Sequence, residues 1–141
     1  MNTNPIIVVE LLDAPVEKVW QAITTKEEMK DWYFDLPAFK AEKGFQFQFI
    51  ATGPKGEEYM HVCEIKEVIL YKKLSYTWTY DGYKGDSLVM FELTKMEDQT
   101  KLRLIHSGVE SFPKSNSDFD KSNFEMGWTT LITKLLVKHL Q

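Results

Sequence analysis

The sequence predicts an α+β fold: an antiparallel sheet with one long amphipathic C-terminal helix across its apolar face, and two short helices after the first strand. Three observations carry this. Apolar residues recur at helical spacing only towards the two ends of the chain. Residues 44–107 instead alternate with a period of two, which marks strands with one wet face. The clusters "TGPKGE", "YDGYKGD" and "MEDQ" separate the alternating runs at hairpin distances, so successive strands pair as antiparallel neighbours.

Taken in order, "PIIVVELL" alternates weakly, but it is short, β-branched and ends before Asp13, which suits a strand. Asp13 is expected to cap the helix behind it. In "APVEKVWQAIT" Val16, Val19, Trp20 and Ile23 share one helical face, and Pro15 sits in the first turn, where its missing N–H costs little. In the second helix Thr25 and Glu28 have capping-box spacing, and Met29, Trp32 and Tyr33 share the apolar side.

The sheet begins at "FQFQF", which turns Phe45, Phe47 and Phe49 to one face and Gln46 and Gln48 to the other. Leu74, Tyr76, Trp78 and Tyr80 repeat the design. So do Val89, Phe91 and Leu93, and then Leu102, Leu104 and His106. The stretch "YMHVCEIKEVIL" is less regular, and a bulge within 64–67 reconciles its halves. The loop "SFPKSNSD", 111–118, is a hinge candidate. The closing segment "GWTTLITKLLVKHLQ" follows Phe124 and carries Trp128, Leu131, Ile132, Leu135, Leu136 and His139 on one broad side. Trp128, Leu131 and Leu135 are therefore expected to be buried against Phe47, Trp78, Phe91 and Leu104.

A length of 141 residues fits one domain, 1–141, able to bury roughly two-thirds of its unfolded surface. The formal net charge of -4 and the lack of a dense Lys/Arg run argue against nucleic acid or an anionic membrane as the main partner. Lys72-Lys73 reads as a solvated turn, and so do Glu57-Glu58. The apolar runs are far short of the ~20 residues needed to span a bilayer. The single cysteine, Cys63, excludes an internal disulfide. Together with an N-terminus lacking the features of a signal peptide, it predicts a cytoplasmic protein.

There is no Gly-rich phosphate loop, nucleophile elbow or carboxylate pair at general-acid spacing, so no catalytic residue, cofactor or enzymatic activity is expected. His61, Cys63 and His106 are zinc-type ligands, but a structural zinc site wants four in close pairs and no fourth is marked. No metal is expected. Cys63 reads as a small buried hydrophobe, His106 as hydrogen-bonded to the loop or the last helix, and His139 as a cation suited to the helix C-terminus. The candidate ligand-binding surface is the aromatic inner face and the helix opposite. It comprises Phe47, Phe49, His61, Cys63, Tyr76, Trp78, Phe91 and His106 on the strands, with Phe124, Gly127, Trp128 and Leu131 on the helix. Tyr59, Tyr76, Trp78 and Tyr80 bring polar tips to this face, and each needs a partner from protein, water or ligand. Gly127 inside a helix costs about 1 kcal/mol against Ala, and its readings are room for a ligand, or else close packing against the sheet or a helix kink.

The stretches "APVEKVWQAIT" (14–24), "HSG" (106–108) and "GWTTLITKLL" (127–136) resemble the START-like, helix-grip superfamily. Within it they are most similar to the family of the C-terminal domain of activators of heat-shock protein 90 ATPase. With the ordered strands the likeness covers nearly the whole chain. The resemblance implies a curved sheet gripping the last helix, and between them a cavity that in many relatives admits an apolar or lipid-like small molecule. The co-chaperones that name the family carry a further N-terminal domain that contributes strongly to chaperone binding, for which 141 residues leave no room. The leading expectation is thus a non-catalytic module that binds a small hydrophobic molecule, and the alternative is a partner of a heat-shock protein 90 type chaperone. Distant relatives imply an enzymatic reading as well, with His106 or Tyr76 carrying protons.

Overall fold

The computed structural model describes residues 4–141. Among these, six strands form one antiparallel sheet in the order β1-β6-β5-β4-β3-β2. They are β1 (Ile6–Leu12), β2 (Gln46–Thr52), β3 (Glu58–Ile69), β4 (Lys73–Tyr80), β5 (Ser87–Met96) and β6 (Gln99–Ser107). Helices α1 (Val16–Thr24) and α2 (Lys26–Trp32) follow β1. The last helix, α3, runs as an α-helix over Lys121–Thr130, passes into a π-helical stretch at Leu131–Leu136 and closes with an α turn at Val137–His139. This is the helix-grip arrangement the sequence predicts.

The period-two pattern is realised in burial. Phe47 and Phe49 are buried between exposed Gln46 and Gln48, and Tyr76, Trp78, Val89, Phe91, Leu102 and Leu104 face the same side. The register of β3 against β4 shifts between Ile65 and Glu67, inside the predicted bulge. The shift keeps Ile65 buried while the strand twists on past exposed Lys66.

The helix starts differ from expectation. Asp13 does not cap α1: the capping position belongs to Pro15, whose extended backbone (φ -67°, ψ 156°) precedes Val16. Proline pushes the residue before it out of helical geometry, so the helix cannot begin at Ala14 and Asp13 is left outside, exposed. Thr25 does stand at the N-cap of α2, yet its side chain makes no cap bond. The second half of the capping box is spent elsewhere, because Glu28 Oε1 meets His139 Nε2 of the last helix at 2.9 Å.

The buried residues of the last helix are Phe124, Trp128, Ile132, Leu136 and Leu140. Leu135 is exposed and Leu131 only half-buried, against the expectation that both lie on the core side. The reason is the π stretch. At 3.6 residues per turn, every fourth residue drifts around an α-helix by about 40° per step. A wider π turn advances less per residue and cancels that drift. Residues four apart therefore stay on one line, and the broad stripe narrows to a seam.

Candidate ligand site at the end of the grip

The centre of the grip is filled by the protein's own rings. Trp128 stacks on Tyr33 (centroids 6.0 Å, 23°) and lies 5.6 Å from Trp78 and 5.9 Å from Phe91. The polar tips at this level are matched internally. The Tyr33 and Tyr76 hydroxyls share a 2.6 Å hydrogen bond, and Trp78 Nε1 donates to the Tyr80 hydroxyl at 2.8 Å. Trp128 Nε1 donates to His106 Nδ1 at 3.0 Å. That leaves the hydrogen of His106 on Nε2, where it donates to Ser87 Oγ at 2.8 Å, and Ser87 in turn donates to the Trp78 carbonyl at 2.6 Å. Desolvation lowers the His106 pKa to about 3, raises the Tyr33 and Tyr76 hydroxyls well above their usual range, and pushes the Cys63 thiol up.

Open space occurs instead at one end of the sheet, where the turn between β2 and β3 meets the segment before α3. A pocket of about 150 Å³ is lined there by Phe34, Gly53, Pro54, Tyr59, His61, Tyr80, Asp118 and Phe119. Gly53 permits the meeting, since a Cβ at this position would sit 2.9 Å from Tyr59 Cε2 and 3.0 Å from Asp118 Oδ2. Asp118 is 8% exposed and held from several sides. Its backbone N–H donates to Asn116 Oδ1 at 2.9 Å, the Tyr59 hydroxyl donates to its Oδ2 at 2.6 Å, and Asn116 Nδ2 donates to that hydroxyl at 3.0 Å. The other carboxylate oxygen, Oδ1, is buried and has no hydrogen-bond partner. Its nearest cation is Lys55 Nζ, at 3.9 Å on an exposed side chain.

Desolvation, and then the hydrogen bond to Asp118, raise the Tyr59 pKa to about 12. His61 is lowered to about 4 by desolvation, so its ring is neutral at physiological pH. The ring stacks on Phe49 (4.4 Å, 14°), and its Nδ1 lies 3.1 Å from the Tyr59 carbonyl, to which it donates.

Of the predicted ligand-binding residues, His61 reaches this pocket. Tyr76, Trp78, Phe91, His106 and Trp128 form the packed centre, with Cys63 buried on the same strand face as His61. Phe124 stacks on Phe112 beside them (5.9 Å, 27°). Phe47 and Phe49 point inward and also border a surface groove of about 660 Å³ along edge strand β2, shared with Pro37, Ile50, Met60 and Val62. Gly127 marks neither ligand space nor close packing: it is exposed, and a Cβ there would meet nothing within 4 Å. Leu131, half-buried beside the narrowed seam, is not brought to the pocket. Sequence reasoning missed Phe34, Gly53, Lys55 and Phe119 as site residues and treated Asp118 only as the end of a polar loop. No signal in the sequence pairs that loop with the Gly-Pro turn at 53–54, which only the fold brings together.

The family model for "Activator of Hsp90 ATPase homolog 1-like protein" matches residues 13–141. Among curated proteins, none matches the chain. Several solved structures share its fold. Protein CV1439 from Chromobacterium violaceum superposes with a TM-score of 0.81 at 19% identity, over 97% of this chain and 96% of that one. MLL2253 from Mesorhizobium loti gives 0.77 at 28% identity, over 97% and 96% of the two chains. BH1534 from Bacillus halodurans gives 0.75 at 26% identity over the full length of both.

Proposed function

Because the chain belongs to the activator of Hsp90 ATPase homolog 1-like family, with its START-like fold, we propose that it is a non-catalytic binding module that holds a small molecule with an apolar body in the pocket at the end of the grip. The observation that carries this is the pocket itself, walled by the rings of Phe34, Tyr59, His61, Tyr80 and Phe119 and closed by the loop that the sequence marks as a hinge. Apolar walls with a few fixed polar groups are the usual make-up of a small-molecule site.

The chemistry of the interior supports binding over catalysis. Ser87 and His106 are adjacent, but His106 donates to Ser87 and so offers it no lone pair with which to take a proton. The Tyr33 and Tyr76 hydroxyls and the Cys63 thiol are all shifted away from ionisation. A cytoplasmic location belongs to the same reading. It is supported by the free, buried Cys63, and among the described residues no helix is long and apolar enough to cross a membrane.

The test is amide chemical-shift mapping with neutral probes such as 1-butanol and toluene, alongside native mass spectrometry of freshly purified protein. Saturable shifts at Gly53, Tyr59, His61 and Phe119 are expected. Shifts that fail to saturate, or that fall on the groove beside β2 instead, would move the site or remove it.

A second reading, a chaperone of the Hsp90 type as surface partner, is supported by the family description and by the exposed apolar stripe Ile7, Val9 and Leu11 on edge strand β1. Under the leading reading, adding the domain leaves the chaperone's ATPase rate unchanged. A saturable rise would favour the second.

A further inference from the structure

Among the described residues Asp118 Oδ1 is the one buried side-chain polar atom without a hydrogen-bond partner. A buried carboxylate oxygen in this state loses its hydration and gains no hydrogen bond in return, only the loose ion pair with Lys55 at 3.9 Å, so it calls for a donor. We propose that the Asp118 pocket takes a small organic ammonium ion, whose N–H donates to Oδ1 while its methylene groups lie against the rings of Tyr59, Tyr80 and Phe119. The inference rests on the binding-module reading and names the ligand class of the same site.

Four features select an ammonium. First, Oδ2 already accepts a 2.6 Å hydrogen bond from the Tyr59 hydroxyl, which fixes the carboxylate and leaves Oδ1 as the oxygen with no hydrogen bond. A guanidinium gains most from two parallel bonds to two unengaged oxygens, whereas a monodentate ammonium needs only one. One oxygen is likewise far short of the six or so that a hard metal cation requires. Second, the walls are aromatic. Tyr59, Tyr80 and Phe119 all line the pocket, and aromatic rings attract a desolvated cation that reaches their faces. Third, nothing inside the pocket opposes positive charge, because His61 turns its Nδ1–H to the Tyr59 carbonyl and carries no charge at neutral pH. Fourth, an ammonium already stands at the entrance. Lys55 Nζ is drawn to 3.9 Å of Oδ1, too far for a hydrogen bond, on a side chain 64% exposed. Such a contact is loose and readily displaced. The volume of about 150 Å³ sets the scale. At about 30 Å³ per water-sized group it holds roughly five heavy atoms, the size of n-butylammonium.

The probes are therefore n-butylammonium and its neutral counterpart 1-butanol, titrated at neutral pH and followed by the amide shifts of Gly53, Tyr59, Asp118 and Phe119. Butylammonium is expected to bind about tenfold more tightly than butanol, and the ratio should fall as salt is added. Asp118→Asn should bring the ratio close to one with butanol binding unchanged. Lys55→Ala should tighten butylammonium a few-fold by removing the competing cation. If Asp118→Asn does not fold, the wild-type ratio and the Lys55→Ala result decide alone. Equal binding of the two probes would overturn the ammonium inference and leave the binding-module reading standing. Binding of neither, to wild type or to Lys55→Ala at tens of millimolar, would mean that a water serves Oδ1, and both readings would fall. Weaker butylammonium binding in Lys55→Ala would also overturn the inference, since the lysine would then be part of the site.

Discussion

Two buried histidines decide how the protein responds to acid. His61 and His106 are held neutral, with pKa values lowered to about 4 and about 3, mainly by desolvation. In the unfolded chain each titrates near 6.5, so below that pH the unfolded state binds protons that the native state refuses. Their cost to stability is absent above about pH 6.5, grows as pH falls, and stops growing only below the native pKa values. With both unfolded imidazoles protonated near pH 5, the loss approaches about 2.7 kcal/mol per pH unit, about 1.4 from each. Urea midpoints should thus be flat from pH 7 to 8 and fall steeply between pH 6 and 5. His106→Gln, compared with its own value at pH 8, should show about half that slope. An unchanged slope would mean that His106 is not the buried neutral group its bonds to Trp128 and Ser87 require. Single residues were the hardest feature to read in the sequence. His106 was legible as a hydrogen-bonded core residue because it continues an apolar face. Asp118 was not, because a carboxylate in a Ser/Asn/Pro loop looks solvated until Gly53, sixty-five positions earlier, is folded against it.

Elements were more legible, since periodicity is a property of a segment and survives without knowledge of its neighbours. The alternation of "FQFQF" and "KLSYTWTY" placed each ring on the correct face, and the bulge in β3 followed from the failure of alternation between Ile65 and Glu67. The last helix failed at one point: its stripe was drawn at 3.6 residues per turn, and the π stretch Leu131–Leu136 straightens a four-residue seam through Ile132 and Leu136. Ile132→Ala should then cost on the order of 2–5 kcal/mol, as buried aliphatic truncations do. Leu135→Ala, at an exposed position, should stay within about half a kcal/mol. Comparable losses at the two positions in denaturant melts would show that the helix keeps α-helical phase. Gly127 gives the complementary test. It lies in a helix interior with open space where a Cβ would stand, so Gly127→Ala should stabilise by about 0.4–1 kcal/mol. A loss there would restore the close-packing reading.

At the scale of the whole molecule, the fold reserves its centre for Trp128. Start from the sheet: Trp78, Phe91 and His106 present an apolar hollow with one acceptor, His106 Nδ1, at its edge. Tyr33, brought in by α2, covers one side of it. An indole fills that hollow and supplies the single N–H that the acceptor needs. The resemblance made a cavity between sheet and helix expected, and the sequence could not show that it is occupied from within, because a tryptophan on a helix stripe looks the same whether it lines a space or fills one. The distinction is measurable. Trp128→Ala should cost about 3–5 kcal/mol and leave a cavity of indole shape. Added indole should then refill it, and a ligand at a hundred times its dissociation constant restores about 2.7 kcal/mol. Indene, of the same outline but without the N–H, should restore less, because His106 Nδ1 would stay unpaired. Thermal midpoints of the variant are expected to rise with indole, while those of the wild type do not move. A wild-type midpoint that rises as far as the variant's would mean that free space already exists beside Trp128, and the ligand would then belong in the centre of the grip and not at its end.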